Sequence, residues 1–139
     1  MSRLNNGLKN TIRIPSDCRR IREVSGEILK LLEEIQPDES VLFDIRLCVE
    51  EMVRNAIVHG NKSDPSRQVT IDYWREEPGR FVVEIEDEGD GFDHKDVPDP
   101  TEDENLLKGS GRGIYITYRL MDEVKYTENG RRVRLVKRI

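Results

Sequence analysis

The chain has little that would tie it to a membrane, to nucleic acid or to an oxidising compartment. Its 139 residues include only two cysteines, Cys18 and Cys48, thirty positions apart and without Cys-x-x-Cys spacing. Each falls in a helical pattern, which suits reduced thiols with structural roles better than a disulfide framework. No stretch approaches the ~18 apolar residues that a membrane span needs, and the polar start MSRLNNGLKN has no apolar block resembling a signal peptide. Positive charge is also short: the net charge is -5 and the isoelectric point about 5.2, a balance that repels a phosphate backbone. A soluble, cytoplasmic protein is therefore expected, with neither nucleic acid nor membrane as its main partner. There is no internal repeat and no low-complexity segment, and the length is that of one domain spanning 1–139.

What is present is regular. After a polar leader over 1–9, NTIRIP alternates Ile12 and Ile14 and ends at Pro15, the signature of a short strand at a sheet edge. Ser16 or Asp17 offers an N-cap, and Ile21, Val24, Ile28, Leu31, Leu32 and Ile35 recur at helical steps, predicting an amphipathic helix over 17–35. Gln36-Pro37-Asp38 breaks it. A second helix is predicted from Glu39 to His59, with Gly60 as its stop. VTIDYW, the turn residues Glu77-Pro78-Gly79 and RFVVEIE read as an antiparallel hairpin, the second strand half-buried through Phe81, Val83 and Ile85. Residues 93–108 have two prolines, many acids and no period, and are expected to form a long surface loop. GSGRG then leads into a short helix, IYITYRLM, and VKYTENGRRVRLV closes the chain as a hairpin around Asn-Gly. Consecutive helices and hairpin-linked strands predict an α+β two-layer sandwich, a mixed and mostly antiparallel sheet with helices on one face.

Two segments carry chemistry. In the second helix the apolar stripe is Ile45, Val49, Met52, Val53 and Ala56. At about 100° per residue, with Glu51 as origin, the stripe centres near ~140°, Asn55 lies at ~40° and His59 at ~80°, while Glu50 and Arg54 fall at ~260° and ~300°. Glu51 and Asn55 therefore share one edge of the buried face, and Glu50 and Arg54 point away, where solvation is the ordinary fate of a charge. A helix hydrogen bond would suffice to explain the Glu51–Asn55 pair alone. His59, followed by Gly60, reads as a helix-end structural residue and not a catalytic one. The other segment, DEGDGFD over 87–93, ends a strand in acids and glycines, and a plain turn, a cation loop and a nucleotide site compete to explain it. A calcium loop counted from Asp87 would have Gly89 at its third position and Pro98 at its twelfth, so that reading fails. There is no Gly-x-x-x-x-Gly-Lys-Ser/Thr phosphate loop, and GSGRG lacks the Gly-x-Gly-x-x-Gly spacing of a dinucleotide fold. Gly109, Gly111 and Gly113 can still offer bare amides to phosphate at a helix N-terminus. Asn55 has an amide oxygen suited to Mg²⁺, and Glu51, one turn earlier, is placed to accept a proton.

Together these segments resemble the ATPase superfamily shared by gyrase, Hsp90, histidine kinases and MutL. Glu51-Met52-Val53-Arg54-Asn55 is similar to its N box, Asp87-Glu88-Gly89-Asp90-Gly91 to its first glycine box and Gly109-Ser110-Gly111-Arg112-Gly113 to its second. Within it, NAIVHGN and GRGIYITYRLMDEV resemble the bacterial anti-sigma-factor serine kinases of stress response and sporulation, over about residues 10–137. The resemblance implies a Bergerat ATP-binding fold and ATP with Mg²⁺ as cofactors. It makes Asn55 the metal ligand, Glu51 the general base and Asp87 the acceptor of the adenine amino group. Gly89 and Gly91 would line adenine and sugar, and Gly109, Gly111, Arg112 and Gly113 the phosphates, beneath a lid over 93–109. Glu88 and Asp90 are left as solvated acids. Two positions depart from the kinase pattern: Gly109 stands where sporulation-type kinases have arginine, with Lys108 and Arg112 as neighbouring sources of charge, and Arg131 follows Gly130 where many members have threonine.

The function so implied is a serine/threonine kinase that phosphorylates an anti-sigma-factor antagonist of the STAS type and sequesters a sigma factor or similar regulator, with homodimerisation suggested by the resemblance. The alternative is an ATP-gated binding module without phosphoryl transfer. A histidine kinase would need a helical hairpin with a phosphoaccepting histidine, and a gyrase-like or chaperone ATPase a transducer domain; neither is expected in this length.

Overall fold

A computed structural model describes residues 8–76, 78–90 and 109–139. β1 (Asn10–Pro15) is followed by a 3₁₀ turn, α1 (Ile21–Leu32), a second 3₁₀ turn and α2 (Glu39–Asn55). The hairpin β2 (Gln68–Glu76) and β3 (Arg80–Glu86) comes next, then α3 (Gly109–Leu120), β4 (Glu123–Thr127) and β5 (Arg132–Arg138). The five strands form one sheet in the order β1-β2-β3-β5-β4, and every pairing is antiparallel. The α+β sandwich is thus as expected, with β1 at an edge, but the sheet is antiparallel throughout the described residues and not mixed, because its strands are joined as hairpins or return beside their neighbours in the opposite sense. The last strand passes back inside β4 to pair with β3, which makes β3 the centre of the sheet.

One face of the sheet carries the helices. Val69, Ile71 and Tyr73 of β2, Phe81, Val83 and Ile85 of β3, and Val133 and Leu135 of β5 form the main core with the α1 stripe and the α2 stripe. Burial of a side chain such as Phe81, fully enclosed here, is worth about 1.5–3 kcal/mol. α2 packs against both α1 and α3. Lys137 ties these layers together: its ammonium lies 3.2 Å from Asp44 on α2 and donates to the Leu120 carbonyl at the end of α3, where a cation suits the helix dipole.

Several expectations change at this level. β3 is not half-buried; Val82 and Glu84, on the helix-free face, are enclosed as well. Trp74, Val82 and Val136 cluster there, capped by Lys9 (5.0 Å from the Trp74 ring) and Arg134 (5.8 Å). Long basic side chains therefore cover a face that alternation assigns to water. The first helix is shorter than 17–35, because Asp17 accepts from Arg19 N–H (3.0 Å) and caps a 3₁₀ turn before α1 starts. Cys48 is buried, and burial pushes its thiol up to about 11, an inert core group; Cys18 is exposed, at the start of the 3₁₀ turn before α1. Glu50 is not simply solvated: it accepts from the buried Ser25 hydroxyl (2.7 Å) in the α1–α2 seam. In the last hairpin, Asn129 (φ 57°) and Gly130 (φ 87°) take the left-handed conformations that Asn-Gly allows at low cost. No helix among the described residues is long and apolar enough to cross a membrane.

Candidate functional site

The site is organised along α2 and its extension. Past Asn55 the helix widens into a π-turn over Ala56–Gly60, closed by Asn61 N–H donating to Ala56 O at 2.8 Å. Such turns are rare and concentrate at functional positions. This one carries Gly60 onto the loop after β3. A Cβ at Gly60 would stand 2.2 Å from Asp87 Oδ2, and a Cβ at Gly89 would stand 2.0 Å from the Gly60 carbonyl oxygen. The Gly60 and Gly89 backbones and the Asp87 carboxylate are thus packed together, with room that exists only because both glycines lack a side chain.

Asp87 is fixed by its own backbone. Its N–H donates to Arg131 O (2.9 Å), and its Oδ1 accepts from Gly89 N–H (2.8 Å). Burial raises its carboxyl above the ordinary value, and the Gly89 hydrogen bond and the Arg131 charge offset this only in part. The next residue, Glu88, is exposed but not idle. Its carboxylate accepts from Gln68 N–H (3.1 Å) and its N–H donates to Asn61 Oδ1 (2.7 Å), so the expectation of a merely solvated acid is corrected. Asp90 is exposed, as expected of it.

At the other end of the site, Glu51 is 27% exposed and pairs with Arg54 at 3.2 Å. It also lies against α3: a Cβ at Gly113 would stand 2.7 Å from Glu51 Oε2. GSGRG does not precede that helix but forms its start, which begins at Gly109. The unpaired N–H groups of a helix lie in its first turn, which here holds Gly109 and Gly111. Gly113 sits one turn further in, and what its missing side chain provides is room for Glu51. Asn55 lies between, about 6 Å along the helix from Glu51; it is half-buried, with Nδ2 on the Met52 sulfur (3.9 Å). His59 is exposed in the last turn, in keeping with a helix-end role.

The structure therefore assembles Glu51 with Gly113, and Asp87 with Gly60 and Gly89, along the C-terminal part of α2 and its π-turn extension, with Asn55 between them. Gly91 and the lid segment 93–108 lie outside the described residues. Among the described residues, no three His, Cys, Asp or Glu side chains gather as they would around a metal ion. The sequence reading missed Gly60 as a contact of Asp87 and missed Asn61 altogether. The signal for Asn61 was an amide directly after a helix-stopping glycine, a position where a side chain can fold back into the body of the protein.

Comparison with known proteins places the chain in a family. Residues 14–137 match the family described as histidine kinase-like ATPase domain. An anti-sigma F factor of Priestia megaterium is 33% identical over 101 residues, covering 70% of this chain and 68% of that protein. The serine-protein kinase RsbW of Staphylococcus aureus (strain MSSA476) is 29% identical over 103 residues, covering 69% of this chain and 65% of its own length, so the match spans about two thirds of these relatives. Among solved structures, the RsbU and RsbW domains of Rv1364c from Mycobacterium tuberculosis align with 94% of this chain and 31% of that one, at a TM-score of 0.65 and 18% identity, a likeness of fold.

Proposed function

Because the chain belongs to the histidine kinase-like ATPase domain family, we propose that it is an ATP- and Mg²⁺-dependent serine/threonine protein kinase that acts as an anti-sigma factor. It would phosphorylate an anti-sigma-factor antagonist of the STAS type and hold a sigma factor or equivalent regulator when the antagonist is absent. Relatives named anti-sigma F factor and serine-protein kinase support this reading. The observation that carries it is the spacing of two carboxylates along one helix and its extension: Glu51 against the α3 backbone at Gly113, and Asp87 against Gly60.

The residues present fit the groups implied. Gly60 and Gly89 form a cradle that any Cβ would fill, leaving the Asp87 carboxylate as a hydrogen-bond acceptor beside bare backbone, as a purine amino group requires. The opening turn of α3 offers helix N-terminal amides to phosphate. With Nδ2 on the Met52 sulfur, Oδ1 of Asn55 is the end that can ligate a cation, and Mg²⁺ needs only one or two protein oxygens when phosphate and water complete its shell. When bound, ATP supplies the phosphoryl group and Mg²⁺ the positive charge that offsets its oxygens. Asp87 orients the base, Asn55 the cation, and the Gly109–Gly111 turn the phosphate end. Glu51, steadied by Arg54, takes the proton of the substrate hydroxyl. Phosphoryl transfer of this type depends mainly on positioning and charge.

The test is transfer of label from ATP to partner proteins captured from the native cell, with wild type and Glu51→Gln compared. Wild type should phosphorylate a serine or threonine of a small partner, and Glu51→Gln should lose on the order of 10² to 10⁴ in rate while binding ATP normally. Full transfer by Glu51→Gln would remove the base assignment. Nucleotide-dependent capture without any transfer would favour a binding module instead.

A further inference from the structure

Asn61 is wholly buried and uses its entire side chain. Nδ2 donates to Ser16 Oγ (2.9 Å) and to Gln68 O (3.0 Å), and Oδ1 accepts from Glu88 N–H (2.7 Å). The Ser16 hydroxyl passes its own proton to Arg67 O (2.7 Å). This network fixes which way the amide faces, since only the oxygen can meet a backbone N–H and only the nitrogen a carbonyl. Asn61 therefore joins four separate pieces of chain: the residue after β1, the start of β2, the π-turn it terminates, and the loop bearing Asp87. Glu88, the residue it grips in that loop, is covalently next to Asp87, and Gly60, the residue before it, is the floor on which the Asp87 carboxylate rests.

We infer that Asn61 is a positioning residue for base recognition, one that sets the place of the Asp87 carboxylate from both sides. This rests on the reading of Asp87 as the acceptor of a purine amino group. A carboxylate on a short loop can discriminate bases only if it is held still, because a hydrogen bond weakens steeply with misalignment. Gly89 N–H fixes one oxygen of Asp87, and the Asn61 bond to Glu88 N–H fixes the peptide from which Asp87 projects. No other uncharged side chain of similar size can give two protons and accept a third in this geometry. Aspartate in its place would lose both donors, and alanine would leave Glu88 N–H, Gln68 O and Ser16 Oγ without their partner.

The readout is a ratio that a general loss of stability does not move: the affinity for ATP over that for inosine triphosphate, measured by calorimetry on the full chain. Inosine carries an oxo group where adenine carries the amino group, so the triphosphate contribution cancels. Wild type should favour ATP about tenfold or more, and Asp87→Asn should abolish that preference, the scale expected of one hydrogen bond to a charged acceptor. Asn61→Ala should cut the preference by about three- to tenfold while binding inosine triphosphate nearly as before. Combined with Asp87→Asn it should change the ratio no further, as two residues acting through one contact must. If Asn61→Ala does not fold, Ser16→Ala, which removes one anchor of the amide and keeps its bond to Glu88, should reduce the preference about two- to threefold. A folded Asn61→Ala with the full wild-type preference, or an unchanged ratio in Ser16→Ala, overturns the inference and leaves Asp87 untouched. A wild-type chain indifferent to the two nucleotides overturns the reading of Asp87 itself.

Discussion

Near the C-terminal end of β3, two neighbouring places hold partly buried acids in opposite ways. On the helix-free face, Arg132 reaches Asp72 (2.8 Å), Glu84 (3.1 Å) and Glu86 (3.3 Å), and Arg134 adds a second contact to Glu84 at 3.4 Å. Burial would raise the carboxyls of Asp72 and Glu84, but hydrogen bonds from Arg132, joined at Asp72 by the Thr11 hydroxyl, outweigh it and leave both below their ordinary values. At the loop after β3 the balance reverses. Asp87 is held by one backbone N–H, no guanidinium bonds it among the described residues, and burial leaves its carboxyl raised. An acid used for structure is given a cation by the fold. An acid held against bare glycine and left short of donors fits the proposed role of accepting a donor from a bound nucleotide.

This contrast can be broken from the structural side. Arg132→Met should cost about 2–3 kcal/mol by urea denaturation, because it takes a cation from three clustered carboxylates and leaves Glu84 only Arg134 and Asp72 only the Thr11 hydroxyl; the cost stays below that of a fully buried pair since the guanidinium is 16% exposed. Nucleotide affinity should be unaffected, as the lattice lies across the sheet from the helices. A smaller effect concerns pH. The folded carboxyls of Asp72 and Glu84 are lowered, so their contribution is complete above the unfolded values of 3.8 and 4.5 and is lost as pH falls through the lower folded values. The stability gap between wild type and Arg132→Met should therefore be widest near neutrality and narrow below about pH 4. A gap independent of pH would mean that packing, not charge, dominates the lattice.

The fold was legible because its signals are local and repeated. The apolar stripes of both long helices, the alternation in β2 and β3 and the Asn-Gly turn each obey one period or one turn rule. The helix-free face was not legible, because alternation cannot show that Lys9 and Arg134 bend over Trp74. In the site, helical geometry alone placed Glu51 and Asn55 on one edge, and the glycine clusters pointed to backbone contact. What each glycine makes room for was hidden. Gly113 yields space to Glu51, 62 positions before it in the chain, and Gly60 to Asp87, 27 positions after it. Contacts between distant residues follow from how α3 and the loop after β3 pack against α2 and its extension, which no single segment encodes. Asn61 was hidden for the same reason, since all three partners of its side chain lie in other segments.

On the proposed reading, Asp87 is held in place for a ligand and not for the fold. Titrating ATP into wild type and Asp87→Asn by calorimetry, with a thermal melt of each ligand-free protein, tests it directly. The variant should bind ATP about tenfold or more weakly, with a melting temperature that is unchanged or higher, because a partly buried charge whose carboxyl burial raises has been removed. Equal ATP affinity in the two proteins, or a variant that melts well below wild type, would contradict it.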